Sequence, residues 1–477
     1  MSQHETTPEL HITQDIIRFI EAFQYEDLPE EALVTGRRCI LDTLGLYVAG
    51  TSEHSVQILI DEAKDMGGRE DSFLLAGQGL RVPAPMAARA LATSGHAHDW
   101  DDTQVSHDPA HVYGLLTHPS VPTLTATLVM AQRLGTVSGK EVMLAFQTGF
   151  EVECKISEWM LPDHYRRGHH SSGTVGTFGA CAAAAKLLGL QGEALAHALG
   201  IAASFAAGIR CNFGTMTKPL HVGRAAENGI TAALLAQRGF TADPTALDGP
   251  WGFLQVLGGG YTHAKAKAGL SNPLTIVSPG VSIKPYPSGI LTHQSMDAML
   301  ELVLEFDIKP DHVKSIRFYA ASNILDPIRY PIAVNHLQAK FSMQALLAMM
   351  VLRRQAGPQE FTDEFVGGDA MQTMQRLITT IRDPEIEAQG FEWIRSRIEI
   401  DTTDGRTLHK EADKRYRGGP SKPMNDNEVE DKFRVCCDQI LPESDQKAVI
   451  SNVWSITEMD SISPILEVLS RIQFSTH

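Results

Sequence analysis

The sequence predicts a mainly α protein in which a large helical domain is interrupted by a smaller α+β module. Three observations carry this. Apolar residues recur at helical spacing through the first 270 or so positions. The character changes near Asn272-Pro273, where Pro and Ser punctuate a linker. Strand-like alternation then appears between 313 and 410, before helical periodicity returns after Pro420. The expected division is 1–275 with 415–477 as the all-α domain and 276–414 as the α+β domain. A chain of 477 residues exceeds what one growing core supports, so more than one domain is expected.

The elements follow in order. Ile16, Ile17, Phe19, Ile20 and Phe23 mark a first amphipathic helix. A second opens at Pro29, suited to a first turn, and runs to Gly50. Further helices are expected near 85–95, 119–135, 139–159, 174–188, 192–207 and 222–238. Those rich in Ala and Gly, such as GTFGACAAAAKLLGL, suit the centre of a bundle because small side chains permit close approach. Val313–Tyr319 alternates as a strand. Arg397–Asp401 and Arg406–Lys410 flank Asp404-Gly405, a hairpin signal. Helical stretches near 294–306 and 342–355 lie between the strands, and 426–439, 444–457 and 462–471 return to the helical domain. No fixed-period repeat is present.

Composition excludes several functions. Hydrophobic residues make up 43% and charged residues 21%, ordinary for a globular chain. The formal charge of −16 opposes binding to nucleic acid or anionic membrane, and an anionic substrate would need a local cluster of cations. No apolar run approaches the ~20 residues that span a bilayer, and the start has no leader-like pattern, so a cytoplasmic location is expected. The six cysteines are scattered without CxxC spacing, which suits neither structural zinc nor an iron–sulfur cluster. The Gly258–Gly260 run opens no GxGxxG and no Walker A sequence exists, so no nucleotide cofactor is expected.

Four segments hold the candidate chemistry. His96-Ala97-His98-Asp99-Trp100-Asp101-Asp102-Thr103 continues to His107, Asp108, His111 and His118. Five of 19 histidines thus fall within 23 residues. Metal ligation, acid–base work and a solvated polar loop all fit this pattern. Gly168 to Thr174 places His170 before a helix start, where a capping loop is the plain alternative. It is no GxSxG elbow, which speaks against a serine hydrolase. Gly214 to Arg224 sets Lys218 in an apolar context, with Arg210 upstream, as candidate carboxylate-binding cations. A surface lysine is the alternative. Lys284 lies in the rigid Lys-Pro-Tyr-Pro-Ser run at the domain junction, where ligand clefts are common, with His293 following.

In this order and at these separations, HxxDxDDT, THPS, the stretch from His170, MTKPLHVGRAAENG and KPYPSGILTH resemble the MmgE/PrpD family over nearly the whole chain. TKPxHxG is the most specific of these matches. That family contains 2-methylcitrate dehydratases, cis-aconitate decarboxylases and iminodisuccinate epimerase. The resemblance implies a large all-α helical domain interrupted by a smaller α+β lid domain, usually as a homodimer. It also implies cofactor-independent proton abstraction next to a carboxylate of a small di- or tricarboxylate. Position by position, it places Asp99, Thr103, His118, His170, Lys218 and Lys284 in the pocket. Asp99, His118, His170 and Lys218 are the expected catalytic residues. Thr103, Lys218, Lys284 and Arg210 are expected to bind substrate, with no metal and no cofactor. Animal cis-aconitate decarboxylases carry a histidine where this chain has Gly289, and a tyrosine where it has Asp326. Dehydration is therefore expected first, epimerisation next and decarboxylation less. A metal-dependent hydrolase using the His/Asp cluster is the reading from a different class.

Overall fold

The computed structural model describes residues 11–104, 116–390, 393–415 and 417–473. His107, Asp108 and His111 of the histidine-rich segment lie outside the described residues. The helices that build the larger part are α1 (Ile12–Ala22), α2 (Glu30–Gly50), α3 (His54–Met66), α4 (Ala84–His96), α5 (Ser120–Leu134), α6 (Gly139–Trp159), α7 (Gly176–Leu188), α8 (Gly192–Phe205) and α9 (Thr217–Gln237). Local chemistry sets several of these ends. Ser138 and Glu141 form a reciprocal capping box at α6, with Ser138 Oγ accepting from the Glu141 backbone N at 3.3 Å. α3 was not anticipated from the sequence, although Val56, Ile60 and Ala63 are its buried stripe.

The Ala-rich α7 is the hub. Its residues from Gly176 to Ala185 are all buried, and α5, α6, α8 and α9 pack around it. Side-chain size sets the helix separations. A Cβ on Gly223 of α9 would stand 2.1 Å from Thr93 Oγ1 and 2.6 Å from the Arg89 carbonyl of α4, so that seam closes only over glycine.

α9 starts a turn earlier than the periodicity suggested. Pro219 is its third residue, where the first-turn N–H groups have no helical acceptor, so a missing N–H costs nothing. Lys218 therefore belongs to the first turn of α9 rather than to a preceding loop.

Beyond the junction, the chain forms a four-stranded sheet in the order β4-β3-β5-β6, from β3 (Val313–Ala320), β4 (Ile378–Arg382), β5 (Ser396–Thr402) and β6 (Thr407–Glu411). A two-residue hairpin, β1 (Ser72–Phe73) with β2 (Arg81–Val82), lies in the larger part. β5 and β6 are the hairpin that Asp404-Gly405 signalled. β4 pairs parallel with β3 at the edge, a placement no local signal announced. Along β5, Ile398 and Ile400 alternate with part-exposed neighbours, the pattern of a sheet covered on one face. α10 (His293–Glu305) and α11 (Met343–Arg353) cover it.

The final helices α12 (Asp426–Cys437), α13 (Glu443–Trp454) and α14 (Ser463–Ser470) return to the first part. α12 lies on α2, where Lys432 Nζ meets buried Asp42 Oδ1 at 2.6 Å. The junction, read from sequence as a Pro-rich linker, is held firmly. Glu151 of α6 accepts from the backbone N of Ser271 (2.7 Å) and Thr275 (2.6 Å). Thr103 and Ser282 exchange two backbone hydrogen bonds of 2.9 Å each, which carries the next residues to the histidine-rich segment.

Gly223→Ala should lower stability by about 1–3 kcal/mol through overpacking of the α4–α9 seam. The urea midpoint should fall with an unchanged slope. A midpoint equal to wild type would show that the two helices separate at no cost.

Candidate active site

Four chain segments meet at one buried point. α4 ends at His96, and the turn that follows holds Asp99 at φ +52°, in the left-handed region that an Asp adopts only at some cost. That backbone aims two oxygens the same way: Lys284 Nζ donates to the Asp99 carbonyl at 2.8 Å and to its Oδ1 at 2.7 Å. Lys218, from the first turn of α9, reaches the same Oδ1 at 3.2 Å and donates to His96 Nε2 at 2.7 Å. Burial alone would raise the Asp99 carboxyl, but Lys218 and Lys284 beside it hold it well below the usual carboxylate range.

The imidazoles are fixed by their second nitrogens. His96 Nδ1 donates to Asp101 at 2.8 Å, which leaves Nε2 as the acceptor for Lys218. His118, just ahead of α5, donates Nδ1–H to the Asp102 carbonyl at 2.9 Å, with Thr103 Oγ1 3.2 Å away. Its Nε2 keeps a lone pair. His170 Nδ1 shares a hydrogen bond of 3.0 Å with His221 Nδ1, and its buried Nε2 has no partner among the described residues. Burial first, then Lys218 and the neighbouring histidines, holds His170 well below its ordinary value. His118 is likewise depressed by burial and Lys284, against the pull of Asp101. Both rings are neutral near pH 7, the form in which a histidine accepts a proton. Asp102, facing away toward Ser120, is pushed up to about 7 by burial, with Asp101 and Asp42 adding to the rise.

Part of this cluster opens on a cavity between the segments, the kind of place in which small molecules bind. Asp99, Thr103, His118, His170, Lys218 and Lys284, the six residues that the family resemblance placed in a pocket, all line it. Arg210 does not. Its guanidinium stacks 3.9 Å over the ring of Tyr165, itself a lining residue, and donates to the Tyr165 carbonyl at 2.8 Å, so it supports the wall rather than facing the cavity. Gly289 lines the cavity, whereas Asp326 pairs with Arg382 at 2.6 Å on the exposed surface. The second of the two sequence departures therefore falls outside the site.

Sequence reasoning left out His96 and Asp101, although both stood in the histidine-rich run. It also left out Tyr165, Phe213, Lys340 and Phe341, which line the cavity from distant segments. No short motif marks these four.

The metal reading can be tested on the donors. Ligand atoms of His96, His118 and His170, and of His96, Asp99, Asp101 and His118, lie within 4.8 Å of one another. Yet the Lys218 ammonium occupies the His96 lone pair and Lys284 the Asp99 oxygen. A cation there would face two ammonium groups, each costing about 4 kcal/mol per charge pair at such range. The donor set does not suit a metal while those lysines hold it.

The fold and site thus define a mainly α enzyme whose buried cavity sets lysines and neutral histidines around one carboxylate. The chain belongs to the MmgE/PrpD family: its profiles match residues 14–265 as the MmgE/PrpD N-terminal domain and residues 286–456 as the MmgE/PrpD C-terminal domain. Curated relatives are cis-aconitate decarboxylases. That of Homo sapiens is 28% identical over 471 residues, covering 96% of this chain and 94% of the relative. Those of Mus musculus (26%, covering 96% and 93%) and Aspergillus terreus (25%, covering 96% of each) follow. This chain is accordingly an enzyme of the lyase type. Among the described residues no helix is long and apolar enough to cross a membrane.

Lys218→Met should lose most activity, about 10²-fold or more in kcat/KM, while circular dichroism keeps the helical fold and the melting temperature falls with the loss of a buried ion partner. Near wild-type turnover would remove Lys218 from the site. Because His118 and His170 are depressed below the ordinary ~6.5, the basic form persists as pH falls. The plot of kcat/KM against pH should therefore stay flat down to about pH 6. An acidic limb centred at or above the ordinary histidine value would contradict these neutral rings.

Proposed function

We propose that the protein is a cofactor-independent lyase acting on a small di- or tricarboxylate by proton transfer at a carbon next to a carboxylate. The observation that carries this is the charge of the cavity wall. Three lysines (218, 284 and 340) face one lining carboxylate, Asp99, so with neutral histidines the wall carries 3 − 1 = 2 positive charges. In a chain of net charge −16, that concentration suits an anion with more than one carboxylate.

In this reading His118 Nε2 takes the proton from the carbon, and the electron pair left behind spreads onto the adjacent carboxylate. Lys218 and Lys284 stabilise the growing oxygen charge, each contributing about 3 kcal/mol when well placed. The base contributes about 10²–10⁴-fold. The His118 imidazolium so formed then returns that proton to the leaving group, with neutral His170 positioned to hydrogen-bond it. In a dehydration the C–O bond breaks with its electron pair and the hydroxide leaves as water, giving a C=C bond.

Dehydration of a 2-methylcitrate-like hydroxy acid is the finer reading, because Gly289 leaves the cavity wall without the histidine of the animal decarboxylases. Decarboxylation is the second reading, favoured by near full-length relatives named for it. There the C–C bond to a carboxylate breaks, CO₂ leaves, and the retained electron pair takes a proton from a lining lysine ammonium, which water then reprotonates. Residues 276–414 serve in either case as the lid over the cavity, and a homodimer is the assembly the family resemblance suggests.

Incubating 2-methylcitrate and cis-aconitate with enzyme in D₂O separates these outcomes. Dehydration gives a new C=C absorbance without CO₂, and His118→Asn should suppress it by about 10²-fold or more. Stoichiometric CO₂ from cis-aconitate would establish the second reading. Turnover of neither acid, nor of other hydroxy di- and tricarboxylates, would remove the proposal.

A further inference from the structure

Lys340 is the one lining cation that no sequence motif pointed to. It is buried and follows Ala339 at the end of a short helical turn, His336–Ala339, ahead of α11. Its Nζ donates one hydrogen bond, to the Ala97 carbonyl at 2.9 Å. Its nearest carboxylate is Glu53, at 3.9 Å, and Glu53 is already shared with His98 and His336, each 3.3 Å away. An ammonium has three N–H donors, so two are not satisfied by hydrogen bonds among the described residues, inside a closed wall. By contrast, Lys218 makes two close polar contacts, with His96 and Asp99, and Lys284 makes two, both with Asp99.

The spacing is also informative. Lys284 is seated on the carbonyl of Asp99 and Lys340 on that of Ala97. Two residues of chain span at most about 7 Å, so the two ammonium groups are lodged at neighbouring points of one turn. Carboxylates on a single short carbon chain bridge such a span. A buried donor left without a partner is unfavourable, and a carboxylate oxygen would satisfy it.

We infer that Lys340 binds a carboxylate of the substrate other than the one held by Lys218 and Lys284, and so sets the preference of the site for a tricarboxylate over a dicarboxylate. This rests on the polycarboxylate reading above. The lysine comes from the α+β part and its acceptor carbonyl from the helical part, so the same contact places the third carboxylate at the seam between them.

Binding of two unreactive acids by calorimetry tests this: tricarballylate, with three carboxylates, and glutarate, with two on the same carbon spacing. Wild type should bind tricarballylate at least about tenfold tighter. Lys340→Met should abolish that preference, weakening tricarballylate by about tenfold to hundredfold while glutarate changes less than about threefold. Lys340→Arg, which keeps the charge, should retain part of the preference. Should Lys340→Met fail to fold because Glu53 loses a counter-charge, the double variant Glu53→Gln/Lys340→Met removes both charges and carries the same expectation. Equal weakening of both acids, or an unchanged tricarballylate affinity, would overturn the role of Lys340. Wild type that binds both acids equally would do the same, whereas wild type that binds neither would overturn the polycarboxylate reading itself.

Discussion

A single buried carboxylate, Asp99, organises this molecule. It is shared by Lys218 from the start of α9 and Lys284 from the junction segment, all three side chains being buried. Ions taken out of water are tolerated only when paired and hydrogen-bonded, and removing one partner of such a set typically costs about 3–5 kcal/mol. The constraint therefore fixes more than a contact. It holds the end of α4, the first turn of α9 and the chain beyond Ser282 in one arrangement, and it explains why Asp99 keeps a left-handed backbone: that conformation presents carboxylate and carbonyl together to Lys284.

The helical scaffold supplies the rigidity this requires. α7 and α9 approach their neighbours through glycine and alanine, and that closeness sets where α4 ends and α9 begins. His96 and Lys218 are thereby brought to 2.7 Å. A shift of the α4–α9 seam by a methyl group would be felt at the lysine, because close-packed interiors transmit strain. The junction is equally constrained by Glu151 and by the Thr103–Ser282 bridge, so Lys284 enters the site on a fixed path. Preorganisation of this kind is what electrostatic stabilisation of developing charge demands, since cations already in place need not reorganise as the reaction proceeds.

The histidines divide the labour through their second nitrogens. Asp101 dictates the tautomer of His96, turning it into an acceptor that helps seat Lys218. The Asp102 carbonyl does the same for His118 and leaves its other nitrogen available. His170 differs, since its partner is another imidazole, His221, and either ring can donate in that pair. Burial keeps His118 and His170 neutral where an exposed histidine would be half-protonated.

Much of this was legible in the sequence, and the reason is locality. Helical periodicity gave α1, α2 and α4 to α8 to within about two residues and α9 a turn late, and Asp-Gly gave the β5–β6 hairpin, because each rests on interactions within a few positions. The parallel edge strand β4 was not legible, since its register is set by β3 some sixty residues earlier. The site divides the same way. Asp99, Thr103, His118, His170, Lys218 and Lys284 stand in short motifs and line one cavity. Lys340 stands in none, and its acceptor lies 243 positions away. Nor could sequence distinguish Arg210, stacked behind Tyr165, from a lysine that faces the cavity. Residue type and local spacing decide which groups can do chemistry. Burial, tautomer and the pairing of charges across hundreds of residues come from packing, and only the tertiary structure decides them.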